Sequence, residues 1–278
     1  MMNDKISKVA AIQDLASFGR CSLSVIIPIL SHMGVQVCPV PTAVFSTHTG
    51  GFGKPIFEDL TGVIHGYIEH WQTLNLKFDC IYSGFLSHEK QIDEVLRFLN
   101  VFGGTKDTLI VVDPVMGDHG QLYKTYNETM QRKMRHLVSC ADLVTPNWTE
   151  ANFLLNRPYS TDSISEQEAK EMLKAISELG PSQVVLKGIP YGDGRKVNMT
   201  YDQVQDHYEI IPYEEVPSNY PGTGDCFASR LIGELLKGET LADSAQKATS
   251  FVTYGVKVTY EAQTDTREGI LLERLLDF

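Results

Sequence analysis

The sequence predicts a single doubly wound α/β domain over residues 1–278, with a mostly parallel central sheet flanked by helices and an antiparallel edge. Three observations carry this reading. Short apolar runs alternate with segments of helical period up to about residue 187, as repeated strand–helix units require. Most of those runs are continuously apolar rather than alternating, which suits parallel strands covered on both faces. After residue 196 the runs 197–201 and 207–212 lie close together and read as an antiparallel pair, and the chain then closes in helices.

Taken in order, the strands are expected at 9–13, 35–40, 43–46, 80–83, 109–113, 143–145 and 183–187, where β-branched and other apolar residues are bounded by polar or turn residues. Helical patterns fall between them near 20–33, 58–74, 89–102, 127–139 and 147–155. The clearest helix opens at Ser165, which with Glu168 makes a capping box. Met172, Leu173, Ile176 and Leu179 form its apolar stripe, and Gly180-Pro181 stops it. A further helix follows residue 225, with Phe227, Leu231, Ile232, Leu235 and Leu236 as its stripe and Lys237-Gly238 at its end. No internal repeat, low-complexity tract or linker divides the chain.

Composition narrows the function. The 24 Lys and Arg against 35 Asp and Glu give a net charge of -11, which opposes general affinity for nucleic acid or for anionic membranes. The longest candidate apolar run, 25–30, holds Pro28 and ends at Ser31 and His32, far short of a membrane span of about 20 residues. Residues 1–8 are polar and unlike a signal peptide, so a cytoplasmic location is expected. Five cysteines, Cys21, Cys38, Cys80, Cys140 and Cys226, have no C-x-x-C spacing and read as buried thiols.

Ligands of doubly wound sheets sit beyond the carboxyl ends of the strands, and the chemistry-bearing residues gather there. Gly222-Thr223-Gly224-Asp225 opens a helix, so its backbone N–H groups and the helix dipole can hold an anion. Asp225 alone would be an ordinary first-turn charge. Flanked by a glycine loop able to wrap a phosphoryl group, it can instead take the proton of an attacking alcohol. Asp113 ends an apolar strand and Asp118 follows a tight turn later; hard oxygens of this kind suit Mg²⁺ beside phosphate, and Asp118 can equally serve the turn. Asn147 and Glu150 stand at i and i+3 of a helix start, where Glu150 can also be a simple helix charge. The segment 48–55 looks like a phosphate loop but is not a Walker A sequence, because His48 stands five residues before Gly53 and Pro55 follows Lys54. Its glycines suit a mobile loop beside a site.

Gly-Thr-Gly-Asp at 222–225 resembles the signature of the ribokinase superfamily, whose members phosphorylate sugars, nucleosides and vitamin alcohols with ATP. The resemblance spans nearly the whole chain. The run 112–118 with Leu122-Tyr123 is similar to the D-P-V-x-G-D…L-Y element of vitamin kinases, 145–150 to their T-P-N-x-x-E, and 45–49 to the F-S-N-H-T of pyridoxal kinases. It implies a ribokinase-like fold and transfer of phosphate from ATP, with Mg²⁺, to the 5′-hydroxymethyl group of a B6 vitamer. In that reading Asp225 is the catalytic base and Gly222, Thr223 and Gly224 form the anion hole. Asp14, Thr49, Phe85 and Asp225 bind the vitamin. Asp113, Asp118, Tyr123, Asn147, Glu150, Lys187 and Gly188 bind ATP, and Asp113, Asn147 and Glu150 serve the metal.

Three positions depart from the pyridoxal kinase pattern. Asp14 stands where Ser follows the strand-end Gln, Phe85 replaces a common Tyr, and Lys187-Gly188 stands for Thr-Ser and is more like hydroxymethylpyrimidine kinases. Hydroxymethylpyrimidine kinase is therefore the enzyme alternative, and a non-catalytic B6-vitamer-binding regulator the non-enzyme one. The family resemblance further implies a homodimer. A need for a monovalent cation such as K⁺ stays open at this point.

Overall fold

The computed structural model describes residues 5–104, 107–192 and 194–276. The outermost residues of the expected domain, and half of the N-terminal segment 1–8, therefore lie outside the described residues. The chain runs β1 (Lys8–Ala16), α1 (Leu23–His32), β2 (Gln36–Phe45), β3 (Phe57–Asp59), α2 (Thr61–Thr73), β4 (Cys80–Ser83) and α3 (Glu89–Phe102). It continues β5 (Leu109–Val112), β6 (Gly117–Asp118), β7 (Gln121–Leu122), α4 (Glu128–Val138), β8 (Leu143–Val144), α5 (Trp148–Leu154) and α6 (Glu166–Ser177). The last part is β9 (Gln183–Tyr191), β10 (Arg195–Asp202), β11 (His207–Pro212), α7 (Thr223–Leu236) and α8 (Leu241–Glu261).

Among the described residues nine strands form one sheet in the order β11-β10-β9-β8-β5-β4-β1-β2-β3. The six strands from β9 to β2 pair in parallel. The expected antiparallel edge is present as β10 between β9 and β11. Helices α2 to α6 cover one face through residues such as Ile64, Val95, Phe98, Met134 and Leu173, while α1, α7 and α8 cover the other through Leu23, Ile26, Phe227, Leu231 and Ala245. Removing this much apolar surface from water on both faces is what makes the sheet the core.

Four local readings change. The expected strands 35–40 and 43–46 are one ten-residue strand, β2, that carries Pro39 and Pro41. These prolines are tolerated because β3 pairs only with residues 43–45, so their missing N–H groups deprive no outer neighbour. Residues 57–59, read as helix, form the short antiparallel strand β3, and the helix starts at Thr61. The β6–β7 hairpin was not foreseen, since two-residue strands leave no periodic signal. Of the thiols, Cys140 is exposed and Cys38 half-buried, and all five are free. The α6 capping box is present as expected, with the Ser165 side chain accepting from Glu168 N–H and the Glu168 carboxylate from Ser165 N–H. No helix among the described residues is long and apolar enough to cross a membrane.

The sheet also explains where the polar residues go. Ala11, Val111, Leu143 and Val185 all pack on the face that α7 covers. Two residues further along each strand stand Gln13, Asp113, Thr145 and Lys187, so the period of two sends four polar side chains toward the N-terminus of α7.

Candidate active site

Gly222 caps α7 with φ 79°, a left-handed conformation that a side chain would strain. A Cβ there would also overlap the carbonyl of Arg20, so glycine lets the loop pack against the segment after β1. The first backbone bond of the helix runs from Cys226 N–H to Gly222 O (2.9 Å). The N–H groups of Thr223, Gly224 and Asp225 are thus unused within the helix, an arrangement able to hold an anion. Gly224 faces Asp113 and Lys187, each with an atom 3.8 Å from where its Cβ would stand.

Asp225 lies in this first turn with both carboxylate oxygens held. Gln13 Nε2 donates to Oδ1 (2.8 Å), and the backbone N–H of Ser22 donates to Oδ2 (2.8 Å). Burial pushes its pKa up to about 7, with the charges of Asp14 and Asp113 adding to the rise and the Ser22 hydrogen bond and Lys187 opposing it. A carboxyl group tuned this close to neutrality is suited to general-base work.

On one side of Asp225 opens a cleft of about 520 Å³ that is lined by Asp113, Asp118, Tyr123, Asn147, Glu150, Lys187, Gly188 and the 222–225 turn. All seven residues expected to meet the nucleotide therefore share one cavity. Asp113 is buried, and its Oδ1 accepts from Thr145 Oγ1 (3.0 Å) and Lys187 Nζ (3.2 Å). Lys187 is aimed there by a bulge in β9, where Gly188 takes φ 67° and its N–H donates to Asn198 Oδ1 (3.0 Å). Asn147 caps α5 and accepts from Glu150 N–H (2.8 Å), while its Nδ2 donates to Gly117 O (3.0 Å). Glu150 closes the capping box on Asn147 N–H (2.7 Å) and also accepts from Met116 N–H (3.2 Å). Burial and then the nearby Asp113 charge raise its pKa, against Lys187. Asp118 and Tyr123 are more exposed and stand at the rim, Asp118 on the β6–β7 hairpin.

Of the residues expected to bind the vitamin, Asp225 lines that cleft and Asp14, Thr49 and Phe85 do not; Asp14 and Phe85 connect to Asp225 through Ser22 and Gln13. Asp14 is buried at a register shift between β1 and β2, and its Oδ1 has no hydrogen-bond partner among the described residues. Burial raises its pKa to about 6, and a hydrogen bond from the Ser22 side chain opposes the rise. Phe85 is joined to Asp225 by Gln13, whose Oε1 accepts the Phe85 N–H. Thr49 is exposed on the loop between β2 and β3. That loop is anchored by its neighbour His48, which is buried and hydrogen-bonded to Arg267 O (2.6 Å) and Gly50 N–H (3.0 Å). Arg267 in turn reaches Gly51 O (3.2 Å) and lies over the Phe52 ring.

The model of the phosphomethylpyrimidine kinase family matches residues 30–269, a span that includes both the cleft and the 222–225 turn. The chain belongs to this family. As a phosphomethylpyrimidine kinase relative it has the ribokinase-like fold and is a kinase. It is similar to a Bacteroides thetaiotaomicron protein assigned as a phosphomethylpyrimidine kinase and crystallised in a form with pyridoxal, at 42% identity and TM-score 0.94 over 98% of this chain and 95% of that one. The pyridoxal kinase of Lactobacillus plantarum is similar at 29% identity and TM-score 0.88, over 98% and 96%. The pyridoxine/pyridoxal/pyridoxamine kinase of Bordetella pertussis shares 25% identity over 91% of this chain and 90% of its own length.

Within this kinase four residues outside the expected set organise the site: Gln13, Ser22, Thr145 and His48. Gln13 lies in the carboxyl-terminal half of β1 and Thr145 directly follows β8, and polar residues closing apolar runs on the α7 face are a signal that could have found them. Ser22 gave no such signal. It takes φ 55° and ψ -141°, a conformation costly for a non-glycine residue, and thereby points its N–H at Asp225.

Proposed function

We propose that this chain transfers the γ-phosphoryl group of ATP to the 5′-hydroxymethyl group of pyridoxal, pyridoxine or pyridoxamine. The observation that carries this is the position of Asp225, pinned at both oxygens, at the cleft and linked through Ser22 and Gln13 to buried Asp14 and half-buried Phe85. The pyridoxal in the crystal form of the 42% identical relative supports the same substrate class. Asp14 Oδ1 is a buried acceptor without a hydrogen-bond partner among the described residues, and a protonated pyridine nitrogen or a phenolic hydroxyl would satisfy it. Phe85 can stack on the ring without donating to it.

In this reading the deprotonated Asp225 accepts the proton of the substrate hydroxyl as that oxygen forms its bond to the γ-phosphorus. The bond from the γ-phosphorus to the bridging oxygen breaks, and ADP leaves with the electron pair. The N–H groups of residues 223–225 hold the charge on the transferring phosphoryl oxygens. Among the described residues no group of three His, Cys, Asp or Glu side chains is arranged to hold a metal. The two buried carboxylates Asp113 and Glu150 instead fit a Mg²⁺ ion bound mainly by phosphates and water, the arrangement this reluctantly dehydrated ion prefers. Bound there, Mg²⁺ would neutralise phosphate charge.

Lys187-Gly188 and the family match favour a second reading, phosphorylation of hydroxymethylpyrimidine. An ATP-consumption assay across the three B6 vitamers, hydroxymethylpyrimidine and sugars separates the two. The proposal expects the highest kcat/KM with a B6 vitamer; a preference for the pyrimidine overturns it.

A further inference from the structure

Gln13 is fully buried in β1 just before its register shift with β2, and both ends of its amide are used. The Phe85 N–H can only donate, so the atom facing it must be the amide oxygen, and the NH₂ group is thereby turned toward Asp225. A deprotonated carboxylate is the acceptor this donor needs. The slot for the amide exists because residue 84 is glycine: a Cβ there would overlap the Gln13 amide.

A single donor would not fix the base. The terminal torsion of an Asp side chain is broad, so a carboxylate held only by Ser22 N–H could still swing about that bond. Donors on opposite oxygens lock its plane and leave the remaining lone pairs for the substrate hydroxyl. Resting on the reading of Asp225 as the base, we propose that Gln13 is a positioning residue that locks the Asp225 carboxylate and ties it to the Phe85 backbone, so that base and ring wall keep one geometry. Misplacement of a reacting group by about 1 Å can cost on the order of 10²-fold in rate.

The test is a set of single-turnover phosphoryl-transfer rates at saturating ATP, using the substrate of the assay panel that the unmodified enzyme turns over fastest. Gln13→Met keeps the volume and removes both hydrogen bonds; the expected result is a rate lowered about 10–100-fold, with the KM for ATP within a few-fold. Gly84→Ala displaces the amide without touching Asp225, and its backbone permits alanine. It should slow transfer in the unmodified enzyme and cost little more in a Gln13→Ala background, because the displaced group is already gone. A wild-type transfer rate in Gln13→Met, or an equal cost of Gly84→Ala in both backgrounds, overturns the proposal. Asp225→Asn is run alongside: if it too retains the full rate, the base assignment fails, whereas an impaired Asp225→Asn beside an unimpaired Gln13→Met removes only the role of Gln13.

Discussion

The ammonium of Lys187 lies 3.2 Å from Asp113 Oδ1 and over the ring of Phe227, in the wall of the cleft beneath the 222–225 turn. Asp113 is almost fully buried, so this ion pair holds a charge that water does not. Removing one partner of such a pair is costly because the other is left uncompensated. Lys187→Met should therefore lower stability by roughly 3 kcal/mol and raise the KM for ATP. Lys187→Met with Asp113→Asn should recover much of the stability but not the ATP affinity. Thermal unfolding of the two variants beside the unmodified enzyme checks this, and a double variant no more stable than Lys187→Met would show that the pair is not the source of the loss.

Asp225→Asn keeps the size of the base and removes its proton acceptor, while the backbone anion hole survives. Loss of a general base typically costs about 10²–10⁴-fold in kcat, with ATP and pyridoxal affinities, read by calorimetry, changed only a few-fold. Near-normal kcat under conditions where chemistry limits the rate would return Asp225 to the role of a helix-terminus charge.

The same substitution should favour the fold more at high pH than at low pH. Asp225 and Asp14 have folded pKa values of about 7 and about 6, both raised by burial above the unfolded value. The stability such groups contribute is complete below the unfolded pKa near 4 and is lost as pH rises through the folded one. One of the two donors at position 225 then meets an NH₂ group at every pH, so the expected result is a Tm change about 2–6 °C more favourable at pH 8 than at pH 5. Calorimetric scans at the two pH values decide it; a change more favourable at pH 5 would reverse the sign argued here.

Because the base acts deprotonated, kcat/KM should rise with pH through about 7 and level off above it. Asp14 contributes negative charge to that rise in pKa, so Asp14→Asn should move the acid limb to lower pH while it weakens vitamin binding. A limb that stays in place would show that the two carboxylates are not coupled.

Glu150→Gln should raise the Mg²⁺ concentration needed for half-maximal rate and leave pyridoxal affinity largely intact. The amide oxygen can keep the capping bond from Asn147 N–H, but the bond from Met116 N–H is then lost, at a cost of about 1 kcal/mol. Unchanged Mg²⁺ dependence with only that stability loss would confine Glu150 to capping the helix.

Much of the architecture is already present in the sequence, for physical reasons that are local. Continuous apolar runs alternating with helical segments suit a parallel sheet covered on both faces, and the box of Ser165 and Glu168 is made within four consecutive residues. The 222–225 turn reads correctly because its glycines and its following apolar stripe are contiguous. The nucleotide-side residues follow from short motifs at strand ends, which one sheet edge must gather. Strand 57–59 and the β6–β7 hairpin were not legible, because their formation depends on partner strands rather than on their own period.

What only the tertiary structure decided is how the base is held. Gln13, Ser22, Phe85 and Asp225 come from β1, the start of α1, the loop after β4 and the start of α7, and their hydrogen bonds join residues up to 212 positions apart. Sequence alone names Asp225 as the carboxylate of a phosphate-binding helix start. The packing of α7 on the sheet, with Gly222 against Arg20 and Gly84 beneath Gln13, removes water from that carboxylate, raises its pKa and puts a donor on each oxygen. Desolvation and orientation belong to the assembled fold, since no stretch of the chain can bury its own polar end.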